Sequence, residues 1–418
     1  MKNTTNRILL TLIMFVLVVF GDGLKLRSYC LYAICGVLII YCLTNILMDG
    51  RKLFVNPELW IIVAFLLYSS FSYFWAIDKS LVLYRMKVVF FMTILVILVA
   101  NMFVRDGDYS IVINLYWMMG LLLSVICIFH FGISGLKNMI VSGVRLGRNE
   151  GAFLGINANT IGMDCATAGI ISIYYCLFEN KKKRLWALVP IVFVVVATGS
   201  RKGLFVLLFG VVAISFFYQI KNGKRTLSTF LKVLLIFTSL LILLNFIISL
   251  PGMEKARDQY MGFISSLIGE EEKADLSTKA RVNMVAVGWE NFLKAPLFGY
   301  GLDNGKVINR IYNDFSAYLH NNYIEILVNG GIVGFVIYYL FYLVVFIKHI
   351  KRLNERNPLV YISLILLALR FFLDLGKVSY YDYLNIVLYP FWIAVANGFD
   401  LGKTHEGIRK REWRYVRY

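Results

Sequence analysis

The sequence predicts an all-α integral membrane protein with about twelve transmembrane helices. Three observations predict it. Hydrophobic residues make up 59% of the 418, and charged residues only 16%. Mean hydropathy is +0.70. A soluble domain carries about a quarter charged residues, so no soluble fold could hide this much apolar surface. The six cysteines, Cys30, Cys35, Cys42, Cys127, Cys165 and Cys176, all fall inside apolar runs and offer no disulfide or zinc framework.

A helix needs about 20 apolar residues to cross the hydrocarbon. Such runs start near Ile8, Tyr29, Leu59, Val88, Tyr109 and Phe153, then near Leu185, Leu204, Phe230, Tyr323, Pro358 and Leu384. The first follows Lys2 and Arg7 without a small-residue cleavage site, so it reads as an anchor rather than a removed signal peptide. The seventh is short and holds Pro190. Twelve spans put both termini on one side. The basic clusters Lys181 to Arg184, Lys348 to Arg356 and Lys403 to Arg417 all fall on that side. The positive-inside rule makes it the cytoplasm. The net charge of +18 is then topology and contact with the anionic lipid bilayer, and nucleic-acid binding is not needed.

The chain reads as a single polytopic membrane domain, 1–418. No Gly-x-x-x-x-Gly-Lys-Ser/Thr loop is present, which argues against ATP hydrolysis. The asymmetry is one long extracytoplasmic loop, 251–322, between spans nine and ten. Loops that long are uncommon without a function. This one has eight Lys or Arg and nine Asp or Glu, so its charges act locally. Short helices are expected in it. Val282, Val285, Ala286, Trp289, Phe292 and Leu293 recur at helical spacing, with Pro296 as the stop. That stripe is expected to face the membrane or cap the bundle while the helix presents Arg281.

On the outward side stand His130 and His320, with Arg145, Arg148, Arg201 and Arg281. Arginine offers a fixed fork of donors suited to phosphate oxygens and never loses its charge. Several arginines and a histidine on one face suit an anionic leaving group and a proton to be removed. The structural alternatives are headgroup anchors and helix caps. No metal-ligand motif of paired carboxylates or His-x-x-His stands on that side, and no metal or cofactor is expected.

Three stretches together resemble the O-antigen ligase and O-antigen polymerase superfamily of bacterial envelope polysaccharide assembly. The first is Arg148-Asn-Glu-Gly151-Ala-Phe153 followed by Asn157-Ala158-Asn159-Thr-Ile-Gly162, with Ala158 where the family pattern has Pro. The second is Thr198-Gly199-Ser200-Arg201. The third runs from Arg281 through Trp289, Pro296 and Phe298-Gly299-Tyr300-Gly301 to His320-Asn321-Asn322-Tyr323-Ile324-Glu325 and Gly330-Gly331-Ile-Val-Gly334.

The resemblance implies a metal-independent, inverting membrane glycosyltransferase of the bacterial inner (cytoplasmic) membrane, with its active site facing outward. Its donor would be an undecaprenyl-diphosphate-linked oligosaccharide, attacked by a hydroxyl of an acceptor glycan. A flippase and a chain-length regulator would be partner proteins. Residue by residue, the resemblance makes His320 the base, and Arg148 and Arg281 the catalytic cations at the diphosphate. Arg201, Arg145, Asn157, Asn159 and Asn321 would bind substrate. Asn157 and Asn159 serve equally well as helix caps. The preferred reading is a polymerase of repeat units. The alternatives are a ligase to a final acceptor such as lipid A core, and a transporter of the same lipid-linked sugars.

Other polar residues read as structural. Asn322 and Glu325 have capping-box spacing. Gly330, Gly331 and Gly334 suit close helix packing. Asp164 inside a span would orient an arginine or pair within the bundle. Arg370 and Asp374, four apart, read as a self-satisfied ion pair.

Overall fold

The computed structural model describes residues 2–20, 25–49, 53–106, 109–142, 155–222, 276–314 and 316–398, with isolated positions between them. All regular structure there is helical. The helices are α1 (Lys2–Val19), α2 (Lys25–Asp49), α3 (Pro57–Phe71), α4 (Lys79–Asp106), α5 (Ile111–Ser142), α6 (Ala158–Glu179), α7 (Leu188–Ala197) and α8 (Arg201–Lys221). After the undescribed stretch come α9 (Leu276–Lys294), α10 (Gly305–Asn313), α11 (Asn322–Arg352), α12 (Pro358–Asp374) and α13 (Asn385–Ala396). Lipid offers backbone groups no partners, so helices are what such apolar runs form.

The starts of these helices are written locally. Asn56 and Asn357 each precede a proline at the first helical turn and accept a backbone N–H, from Leu59 and Leu359. Ser200 does the same for α8, accepting from Gly203. Seven helices among the described residues are long and apolar enough to span: α2, α3, α4, α5, α6, α8 and α11. Of the other expected spans, those near Ile8, Leu185, Pro358 and Leu384 are helices of 18, 10, 17 and 12 residues. The span expected near Phe230 lies largely outside the described residues.

The long loop does hold short helices, α9 and α10, and α9 packs on the bundle the face next to its expected stripe, with Phe292 common to both. Met284, Val287 and Phe292 are buried with Leu319 and Val328. Of the expected stripe, Val282, Trp289 and Leu293 are 47%, 47% and 59% exposed. Gly288 decides this. A Cβ there would sit 2.4 Å from Ile324, so only glycine lets α9 approach α11 so closely. The stripe with the large aromatic is left outward.

Helix α11 is broken at Gly331 (φ 60, ψ −165), a conformation essentially reserved for glycine. A break frees backbone groups, and the segment 296–301 takes them. Tyr300 and Gly301 donate to the carbonyls of Val328 and Asn329 at 2.8 and 2.9 Å. Ile332 and Val333 donate to Pro296 and Leu297. Gly330 and Gly334 do serve packing, since Tyr68 of α3 donates to the Gly330 carbonyl and lies against Gly334. A Cβ on Gly331 would lie 2.2 Å from the Leu297 carbonyl oxygen. Gly331→Ala is therefore expected to destabilise the fold by about 3 kcal/mol or more. Thermal unfolding of the purified variant in detergent checks this, and an unchanged midpoint would refute it.

The next residues of that loop dock on the corner between α3 and α4. Leu302 donates to Ser72 Oγ at 2.9 Å. Asn304 accepts from the Asp78 N–H at 2.7 Å and donates back to the Asp78 carbonyl. Asp303, fully buried, accepts ion pairs from Arg85 at 3.1 Å and Lys306 at 2.9 Å.

A second buried polar hub corrects the picture of an isolated Arg370–Asp374 pair. Those two stand 3.7 Å apart. Arg370 also reaches Asp382 at 3.3 Å, Asn385 Oδ1 at 2.6 Å and the Ser379 carbonyl at 2.9 Å. Asp374 accepts from Asn322 Nδ2, Tyr339 Oη and Ser379 Oγ. A buried ion needs more than one partner to offset its lost hydration, and the segment between α12 and α13 supplies the rest.

Candidate active site

His320 lies one residue before the cap of α11, at the point where the long loop meets the bundle. Its backbone is left-handed (φ 57), uncommon for a residue with a side chain. Both flanks are pinned. The Leu319 side chain is fully buried under α9, and its N–H donates to Glu325 Oε2 at 2.8 Å. Asn309 Nδ2 of α10 donates to the Ala317 carbonyl at 3.0 Å. On the other side, Asn321 Oδ1 accepts the Ile324 N–H and caps α11. Fully buried Asn322 donates to Asp374 and Tyr339 and accepts the Ser379 N–H at 2.8 Å.

The imidazole itself has no hydrogen-bond partner among the described residues. It is half-buried and lies against the Tyr318 ring, centroids 4.2 Å apart. Burial, then the nearby charges of Arg281 and Lys202, lower its pKa to about 4. At neutral pH it is therefore uncharged and able to accept a proton.

The two cations come from different elements. Arg281 is half-buried on α9. Lys202 follows Arg201 in the first turn of α8, and its Nζ donates to the Gly376 carbonyl at the end of α12. The start of α8 is set by Thr198 and Ser200, both fully buried, with Gly199 in the left-handed region (φ 61) between them. It crosses α6 where two glycines meet. A Cβ on Gly203 would lie 2.8 Å from the Gly162 backbone. Two of the resembling stretches, Asn157 to Gly162 and Thr198 to Arg201, are thus brought together.

The expected residues divide as follows. His320 and Arg281 come within electrostatic reach of each other. Arg201 stands half-buried at the start of α8, beside Lys202. Asn157 and Asn321 use their side-chain oxygens as helix caps, Asn157 accepting from the Asn159 N–H at 2.8 Å. Asn159 is half-buried in the first turn of α6. Arg145 and Arg148 lie outside the described residues. Asp164 accepts from Tyr116 Oη at 2.7 Å, a pairing within the bundle. The expected Asn322–Glu325 capping box is not made, because Asn321 is the cap and Glu325 reaches past it to Leu319.

Sequence reasoning missed Lys202, the residue after Arg201. The only signal was two adjacent basic residues at a helix start. Asp382, in the segment after α12, belongs to the neighbouring buried hub. Burial would raise its carboxyl, but Lys377 at 2.6 Å and Arg370 hold it below the ordinary carboxylate range. Among the described residues, no three His, Cys, Asp or Glu gather as metal ligands would. A neutral, hydrogen-bond-free imidazole beside two cations can take a proton while an anionic group departs.

Residues 186–339 match the family described as O-antigen ligase. The match contains Thr198 to Arg201, Arg281, Phe298 to Gly301 and His320 to Glu325. Asn157 to Gly162 lies ahead of it. The chain is also similar to an uncharacterized protein of Haemophilus influenzae, 28% identical over 221 residues, which are 48% of this chain and 53% of that protein. The chain spans about half the length of that curated relative.

Proposed function

We propose that this chain, whose residues 186–339 match the family described as O-antigen ligase, polymerises undecaprenyl-diphosphate-linked oligosaccharide repeat units into a cell-surface polysaccharide. One observation carries the chemistry: the half-buried His320 imidazole has no hydrogen-bond partner among the described residues, and burial with the charges of Arg281 and Lys202 lowers its pKa. An acceptor sugar hydroxyl loses its proton to His320. Its oxygen bonds to the anomeric carbon of the donor sugar, from the face opposite the diphosphate. The bond from that carbon to the diphosphate oxygen breaks, and the electron pair leaves with undecaprenyl diphosphate. Arg281, Lys202 and Arg201, with Arg148 or Arg145, stabilise the departing charge.

In this reading the reaction takes place at the outer face of the bacterial cytoplasmic membrane. About twelve spans, both termini cytoplasmic and the 251–322 loop outside, form one domain in this reading. A flippase and a chain-length regulator are its partner proteins. The second reading is transfer of a finished glycan to a final acceptor, and the description of the matched family favours it. The two share donor chemistry and differ in the acceptor.

The test is purified protein in detergent or lipid, given an undecaprenyl-diphosphate oligosaccharide, with products resolved by gel. A ladder of multiples supports the polymerase. A single transfer that requires a separate acceptor supports the ligase. Neither product, from folded protein with intact donor, argues for a transporter. Arg281→Ala is expected to lower kcat about 100-fold, as loss of a donor to developing charge does elsewhere. Arg281→Lys should recover only part, since the fork geometry is lost.

A further inference from the structure

We infer that Glu325 is a positioning residue, whose buried carboxylate holds the left-handed backbone turn that aims His320. The inference rests on the reading of His320 as the base. Glu325 is fully buried in the first turn of α11. One of its oxygens accepts the Leu319 N–H at 2.8 Å, the amide adjoining His320. The other accepts Asn329 Nδ2 at 3.1 Å. Asn329 is itself tied to the docked loop, accepting the Gly305 N–H at 2.7 Å on its side chain and the Gly301 N–H at 2.9 Å on its carbonyl.

The connection therefore runs from the loop docked on α3 and α4, through Asn329 and Glu325, to the backbone beside the imidazole. A residue with a side chain in the left-handed region stays there only when its surroundings over-determine it. Here the carboxylate supplies one of the holds. The imidazole has no hydrogen bond of its own among the described residues, so its aim depends on the backbone that carries it. Glu325 does not touch the imidazole, and it acts through Leu319.

The test compares Glu325→Gln and Glu325→Leu with His320→Ala and the unaltered protein. Glutamine keeps an acceptor oxygen for Leu319, whereas leucine does not. A misplacement of about 1 Å at a reacting group costs about 100-fold. Glu325→Leu should lower kcat about 30- to 100-fold with KM within about 2-fold, and Glu325→Gln, which keeps the acceptor for Leu319 but turns an NH2 towards Asn329, should lose only about 3- to 10-fold. Amide hydrogen exchange at Leu319 should speed up in the leucine variant and stay slow in the glutamine variant. If Glu325→Leu does not fold, Asn329→Ala loosens the same carboxylate and is read instead, with a loss of about 3- to 10-fold in kcat.

Unchanged kcat in Glu325→Leu would overturn the inference. So would an equal loss in the glutamine and leucine variants, which would mean that the charge matters and not the acceptor. If His320→Ala keeps its turnover, the base reading fails by itself. Leu319 exchange then decides whether the turn depends on Glu325.

Discussion

His320→Ala is expected to lose 100- to 10,000-fold in turnover while the protein folds and binds donor normally, the range for removal of a general base. The pH profile gives the sharper result. In the free protein, burial, Arg281 and Lys202 lower the His320 pKa to about 4. The base form is therefore full from neutral pH down towards 5, and is lost only as the pH falls through about 4. The acid limb of kcat/KM, which reports the free enzyme, should lie there. A bound diphosphate sets negative charge beside both cations and removes much of their repulsion of the imidazolium. The pKa then rises towards its ordinary value. The acid limb of kcat should accordingly lie at higher pH than that of kcat/KM. Coincident limbs, or an alanine variant with more than a tenth of normal turnover, would sink the assignment.

Asp303→Ala is expected to cost about 3–5 kcal/mol of stability, the typical result of leaving a buried charge without its partner. Asp303 is fully buried between Arg85 and Lys306, at 3.1 and 2.9 Å. The Arg85 guanidinium also lies 3.6 Å over the Tyr381 ring, so it cannot turn to solvent without unpacking the segment after α12. Replacing the charge of the buried pair, as in Arg85→Met with Asp303→Asn, should restore part of the loss, because no guanidinium is left unpaired and Asn tolerates the left-handed backbone at φ 62. Unfolding midpoints of the single and double variants in detergent check this. A single variant as stable as the unaltered protein would show that the hub contributes nothing.

How much of the site was legible follows from the range of the forces involved. His320 and Arg281 could be picked out because residue type and order carry chemical meaning before any fold is known. The α9 stripe was legible as apolar, but which residues of the helix pack on α11 was not, because helical spacing fits two neighbouring faces. Gly288, which carries no signal in the spacing, is what lets the other face pack. Gly331 looked like one more small packing residue, and only its φ and ψ reveal a broken helix. The Arg370–Asp374 pair was legible because its members stand one turn apart. Their larger network was not, because Asn322 comes from another helix and Asp382 from the following segment.

The sequence by itself determined the all-helical membrane architecture. Apolar runs in lipid must satisfy their own backbone hydrogen bonds, and Asn, Ser and Pro at fixed offsets mark where several helices begin. It also singled out His320 and Arg281 as candidates by residue type and order. The tertiary structure alone decided which of them meet. Tyr68 reaches the Gly330 carbonyl, Arg85 reaches Asp303, and Lys202 reaches Gly376 across stretches of chain in which no local pattern records the partner. Hydrogen bonds and buried ion pairs act over a few ångströms of space and are indifferent to separation along the chain. Their partners are therefore fixed by how the helices pack.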